Sequence, residues 1–315
     1  MNFRKVLVCL FCVLILAPAA FSKEGSDQYP NGAESWGTGM LPPPGTFAYL
    51  NYFVLYNGEL KDGSGNKVNL GGSTPTAWAV ANAFRPVYMS NVKLFGGNMG
   101  WYAVVPVVDQ QIKLGATESN SGIGDITVQP FFLAWHRKNI HWAAVVDLNL
   151  PTGYYNSSDP RTSIGAGYFA VEPAVAITFL PKSGWEASTK VMYDFNRTNH
   201  SNQYKSGQDF HFDYVVGKHI GPATIGASGY YYKQTTNDTV NGQVLAAAPG
   251  LYSEGRKGQV FAIGPNIGIT NSRYMQLMVS YTREMAVRNR FGGDKLMVKL
   301  IIPTRLGLFP RMKKQ

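Results

Sequence analysis

Past residue 22 the chain contains no cysteine; Cys9 and Cys12 are the only two. Disulfides and thiolate chemistry are therefore excluded from everything that follows. Nor does any run of about 18 apolar residues occur after that point, which rules out a helical membrane protein. Charge is scarce: Asp, Glu, Lys and Arg make up 15% of 315 residues, against about a quarter in soluble proteins. The formal net charge of +10 is spread over loops and ends without a basic stripe, so nucleic acid is not an expected partner. Gly122-x-Gly124 lacks the third glycine and following helix of a dinucleotide fingerprint, and no phosphate loop occurs elsewhere. No cofactor is expected. The closest histidine grouping, His211 and His219 with Asp213, is better explained as satisfied polar side chains than as a metal site, so none is expected. His200-Ser201-Asn202 lie adjacent in a polar loop, where they cannot form the nucleophile, base and orienter of a hydrolase. The chain is not expected to be an enzyme.

Glycine, tyrosine and phenylalanine are abundant, with 34, 18 and 17 copies. Residues 1–22 have the order of a secretory signal: Arg4 and Lys5, an apolar core from Val6 to Leu16, then small residues around Ala19 and Ala20. Residues 23–44, ending in Pro42-Pro43-Pro44, are expected to form a periplasmic leader or partial lumen plug, steered inward by the stiff proline run. The barrel is assigned to 45–303 and a basic tail to 304–315.

Between these ends polarity alternates residue by residue. Ile126, Val128, Pro130 and Phe132 alternate with Asp125, Thr127, Gln129 and Phe131. The same design recurs around Pro173 and Pro265. A proline in mid-strand removes a ladder donor, yet each of these three sits on an apolar face, here assigned to lipid. Twelve candidate strands fall near 46–57, 76–90, 99–109, 123–136, 139–150, 164–180, 184–196, 208–217, 222–234, 258–270, 273–285 and 293–303. From the third onward, long polar connections such as 110–122, 151–163, 197–207 and 235–257 take turns with tight ones. That segregation is the mark of an outer-membrane barrel with its short turns in the periplasm. The fold expected is an all-β, transmembrane, antiparallel up-and-down barrel of about 12 strands, with 14 possible. Trp101, Trp135, Trp142, Trp185, Tyr154, Tyr155 and Tyr230 to Tyr232 near strand ends are candidates for the aromatic girdles.

Charges on alternate positions of apolar strands are costly in lipid and natural in a lumen. This places Asp125, Asp147, Glu172, Glu186, Lys190, Asp194, His211, Asp213 and Glu284 on the inner face as the candidate solute pathway, with Lys299 beside them. Gly122 and Gly124 are expected to make a sharp entry into a strand.

Leu41-Pro42-Pro43-Pro44-Gly45-Thr46, Gly122-Ile123-Gly124-Asp125, Leu150-Pro151-Thr152-Gly153-x-Tyr155, Glu172-Pro173, Tyr204-x-Ser206-Gly207-x-x-Phe210-His211-x-Asp213-Tyr214 and Gly229-Tyr230-x-Tyr232-x-Gln234 occur in that order. Together they resemble the bacterial transporter family named after the meta pathway of phenol degradation, from about Leu41 to Phe291. The resemblance implies passive uptake of small hydrophobic or aromatic compounds across the outer membrane. Its implied partners are outer-membrane lipid, the solute and the barrel-assembly machinery, with the oligomeric state open. The competing reading is a structural or surface-interaction barrel with a closed lumen.

Overall fold

The computed structural model describes residues 27–305. The expected signal peptide, and all but the first two residues of the expected basic tail, lie outside them. Alternating strands occupy most of this stretch: β1 (Thr46–Lys61), β2 (Thr76–Leu94), β3 (Gly97–Leu114), β4 (Ala116–Ile123), β5 (Ile126–Arg137), β6 (Ile140–Leu150), β7 (Ala170–Phe179) and β8 (Trp185–Asn196) come first. They are followed by β9 (Tyr204–Lys205), β10 (Asp209–Ile220), β11 (Ala223–Gln234), β12 (Thr239–Val240), β13 (Gln243–Val244), β14 (Gln259–Thr270), β15 (Gln276–Arg288) and β16 (Arg290–Arg305).

Antiparallel pairing runs from β2 through β1, β16, β15, β14, β11, β10, β8, β7, β6 and β5 to β3, and β3 pairs again with β2. The ring is closed, with twelve strands. First and last strands meet from Thr46↔Arg305 to Lys61↔Arg290. Closure leaves no free edge, so backbone groups are paired where no water can reach them.

Long connections gather at one end and tight turns at the other. Of the long stretches, 110–122 is itself ordered: β3 runs past the ring and folds back as β4, outside the twelve. Gly124 then donates its N–H to the Pro106 carbonyl at 2.9 Å, and the chain re-enters the ring one position out of register as β5. The last hairpin is the exception to the loop pattern, turning tightly at Asn289 between β15 and β16.

Each mid-strand proline lies where pairing is interrupted. The β5–β6 register breaks between Val128 and Phe132, around Pro130. Pairing of β7 with β8 skips Glu172 and Pro173, and pairing of β14 with β15 skips Gly264 and Pro265. The missing N–H therefore faces a gap in the ladder and not a carbonyl. The break in β5 also overturns one expected face: Pro130 and Phe131 both point outward, and Phe132, expected toward lipid, is fully buried inside with Ala134.

The lipid face carries Val146, Val175, Ile177, Val216, Ile225 and Ile267. At the tight-turn end Trp101, Trp142 and Trp185 belong to the girdle, with Trp135 and Trp142 stacked at 6.0 Å. Tyr230 and Tyr232, expected in a girdle, are instead buried in the lumen, because odd and even positions of β11 face lipid and lumen respectively.

Outside the membrane, a loop cluster closes over buried Asp238, which accepts from Gly207 N (2.8 Å), Gln234 Nε2 (2.7 Å) and Tyr204 Oη (2.8 Å). Burial pushes its carboxyl up to about 7, against the lowering effect of these donors. A carboxyl raised on folding contributes stability that is complete below its unfolded value near 3.9 and is lost as pH rises through 7. Protection factors of the amides in residues 204–208 and 235–240, which discount the intrinsic base-catalysed exchange rate, should accordingly be larger at pH 5 than at pH 8. Asp238→Asn should remove that difference.

The two faces of β6 give a second test. Val146→Arg should impair membrane insertion by about 2–4 kcal/mol. Asp147→Asn, on the opposite face, keeps an acceptor for Tyr102 and leaves Lys190 its Glu172 partner, so its effect should be smaller. The heat-dependent gel shift of the folded barrel reads both outcomes.

Candidate functional site

The leader occupies the lumen. Its described part starts at the long-loop end, where Asp27 pairs with Arg290 at 2.6 Å, and descends to the tight-turn end, where Gly39 donates to Thr178 Oγ1 at 2.9 Å. Midway, the Asp213 carboxylate accepts from Tyr29 Oη (2.7 Å), Gly32 N (2.7 Å) and Glu34 N (2.9 Å). Gly32 has φ +87°, a conformation that glycine adopts without strain, and this aims its N–H at the carboxylate. Lower down, Trp36 donates to Asn266 Oδ1 at 2.9 Å and lies edge-on to His219. Its six-membered ring enters a slot formed by Gly217 and Gly226, which face each other across β10 and β11; a Cβ on Gly226 would sit 2.9 Å from Trp36 Cη2.

Charged lumen side chains pair with the leader and with each other. Glu34 bonds Arg85, and its other oxygen lies 3.0 Å from Lys299 Nζ. Lys190 bridges Asp147 (3.2 Å) and Glu172 (3.3 Å), while Tyr102 donates to Asp147 at 2.6 Å. Glu186 accepts from Gly37 N and Ser188 Oγ and pairs with His219, each at 2.6 Å. Glu284 takes Tyr230, Tyr56 (3.0 Å) and Gly293 N (2.8 Å). Leaving one partner of such a buried pair alone costs about 3–5 kcal/mol, so the network is cooperative.

Above this packed half lies a cavity of about 340 Å³. One wall is apolar, formed by Val54, Ala79, Ala81, Ala83, Val104, Pro106, Val108 and Ile112 of β1 to β3. The opposite wall carries Tyr232, Glu284, Arg290 and Lys295, and the leader's Tyr29, Pro30 and Ala33 make the floor. Arg290 stacks 4.5 Å above Tyr232, and Lys295 lies 4.4 Å above Tyr230 while donating to Asn31 O. Asp125, Ser163 and Ile164 border the mouth.

Of the nine side chains proposed as a solute pathway, Asp125 and Glu284 border this cavity. Asp147, Glu172, Glu186, Lys190, Asp194, His211 and Asp213 lie buried in the packed half. Asp125 holds loop backbone, accepting from Gly153 N (2.9 Å) and Ala166 N (2.8 Å). His211 is buried, with Asp194 Oδ2 3.3 Å from its Nε2 and no hydrogen bond to either ring nitrogen. Sequence reasoning missed Arg85, Arg290, Lys295 and the alanine wall. The alternation Ala77-x-Ala79-x-Ala81-x-Ala83 was the available signal: small side chains on one inner face leave volume unfilled.

A closed twelve-strand ring with an apolar belt, aromatic girdles and a polar lumen defines an outer-membrane β-barrel. The chain belongs to the family described as putative MetA-pathway of phenol degradation, whose profile matches residues 58–300. The fold is similar to the COG4313 outer membrane channel from Pseudomonas putida F1, with a TM-score of 0.69 at 14% identity over 84% of this chain and 97% of that one. Weaker similarities are to the beta domain of the Bordetella autotransporter BrkA (TM-score 0.49, 9% identity, 82% and 99% covered) and to a TodX mutant monoaromatic hydrocarbon channel (0.42, 10%, 83% and 90%). No match to a curated protein sequence is found.

Asp213→Asn turns one of the three leader contacts from acceptor to donor. It should weaken leader docking by about 1.5–3 kcal/mol, roughly a 10- to 100-fold rise in the undocked population. Limited proteolysis of the leader in detergent-solubilised protein checks this, with the barrel core remaining resistant.

Proposed function

We propose that this barrel is a non-enzymatic channel for passive uptake of small hydrophobic solutes, aromatic ones among them, across the outer membrane. The observation that carries this reading is the 340 Å³ cavity, with an apolar wall on one side and aromatic and cationic groups on the other. An engineered apolar cavity of about 150 Å³ accepts benzene, so this volume suits a substituted single ring. Apolar wall and cation-bearing aromatics together favour a flat solute with one polar edge. The family description bears on the same chemistry. The leader closes the floor, and passage requires it to shift, which makes it a plug.

The second reading, a barrel whose lumen stays closed, draws on the packed network below the cavity. Two changes separate them. Ala81→Trp fills the cavity without touching the network, and should cut toluene and phenol uptake by intact cells several-fold. Deleting Asp27 to Met40 should give a larger or newly steady conductance in planar bilayers. Equal uptake with and without the gene, together with an unchanged bilayer trace after deletion, would leave the closed barrel standing.

A further inference from the structure

Among the described residues, the packed half of the lumen brings one imidazole and two carboxylates together. Glu172 of β7 lies across from Asp194 of β8 in the register that pairs Val171 with Phe195. His211 of β10 faces Met192 and is therefore diagonal to Asp194. All three side chains point inward, and each is at most 2% exposed. Their nearest ligand-type atoms all lie within 4.8 Å of one another, and His211 Nε2 is 3.3 Å from Asp194 Oδ2.

The histidine is the informative member. An imidazole that is 1% exposed with neither nitrogen hydrogen-bonded bears a desolvation cost that proteins normally avoid. Neighbouring His219, by comparison, meets Glu186 at 2.6 Å. Ligand atoms on a dication held at about 2.0–2.2 Å are separated by roughly 3.0–3.5 Å. The Asp194–His211 edge already has that spacing, and Glu172 supplies the third vertex by turning a carboxylate oxygen toward it, Lys190 keeping Asp147 as its partner at 3.2 Å.

We propose that Glu172, Asp194 and His211 bind a divalent first-row transition cation, zinc or manganese in class, inside the barrel wall behind the leader. One imidazole and two carboxylates suit such a cation better than calcium or magnesium, which take oxygen ligands throughout. The leader lies over the site: the Tyr29 ring is 5.3 Å from the His211 ring, and Lys190 sits 4.7 Å from the Tyr29 ring centre. The cation is thus enclosed when the leader docks, and it loads as the barrel folds. Its role is structural, joining β7, β8 and β10 beneath the plug.

The test is metal content and spectroscopy on the full mature protein, purified from outer membranes without chelator and, separately, refolded from urea and EDTA with Zn²⁺ or Co²⁺. Expected are about one Zn²⁺ per chain retained through gel filtration and visible d–d bands for the Co²⁺ form. Glu172→Gln, Asp194→Asn and His211→Gln, each checked for the heat-modifiable gel shift, should lower retention at least about tenfold, as loss of a ligand demands. Absence of both bound zinc and cobalt bands in the wild-type protein overturns the proposal and needs no variant to fold. Zinc that survives all three substitutions also overturns it. Zinc lost on His136→Ala instead belongs to the exposed His136–His141 pair, whose Nδ1 atoms lie 3.0 Å apart, and counts equally against it.

Discussion

Hydrocarbon offers no hydrogen bond, so a backbone that crosses it as strands must pair every N–H and C=O with another strand. That requirement closes the ring between β1 and β16 and fixes much else. Side chains alternate across a strand, so a closed ring with lipid outside has one continuous inner face. Twelve strands enclose a space too wide for their own side chains to fill and too narrow to behave as bulk water. Acids and bases on that face must then find each other or find something else.

The leader is that something else. Its backbone supplies donors that inner carboxylates would otherwise lack, at Gly32, Glu34 and Gly37, and its carbonyls receive Lys295 and Lys299. A main chain inside the lumen does the work that a helix N-terminus does in soluble anion sites, presenting N–H groups to carboxylates in a low-dielectric setting. Glu34 reverses the roles, bringing a negative charge to Arg85 and Lys299. Barrel and leader are therefore complementary in charge, and either alone would leave buried groups uncompensated.

Much of this was legible in the chain because period-two alternation carries both the strand and its orientation. The twelve segments, the lipid face of β6 and β8, and the closed architecture follow from alternation and connection length alone. What failed did so where alternation breaks. The irregularity at Pro130 flips Phe131 and Phe132, and no local pattern distinguishes a proline that shifts the register from one that only interrupts pairing, as Pro173 shows by keeping its expected face. The aromatics Tyr230 and Tyr232 are chemically suited to a girdle, and only their parity on β11 shows that they face inward. A leader turned into the lumen toward the inner acids was one of two expectations, but which residues would pair was not legible. Asp213 meets a leader about 180 residues earlier, and such a pairing leaves no trace in spacing.

The lumen is asymmetric in composition. Inner charges line β6 to β10 and recur on β15 and β16, while β2 presents alanine at four successive inward positions above Arg85. Filling the space to native density would take large side chains on that wall, and the adjacent β3 adds only Val104, Pro106 and Val108 to it. The void is thus placed by composition, where the small side chains of β2 and β3 leave the lumen unfilled across from Tyr232, Glu284, Arg290 and Lys295. The cavity is therefore two-sided, with alkyl groups on one flank and aromatic and charged side chains on the other.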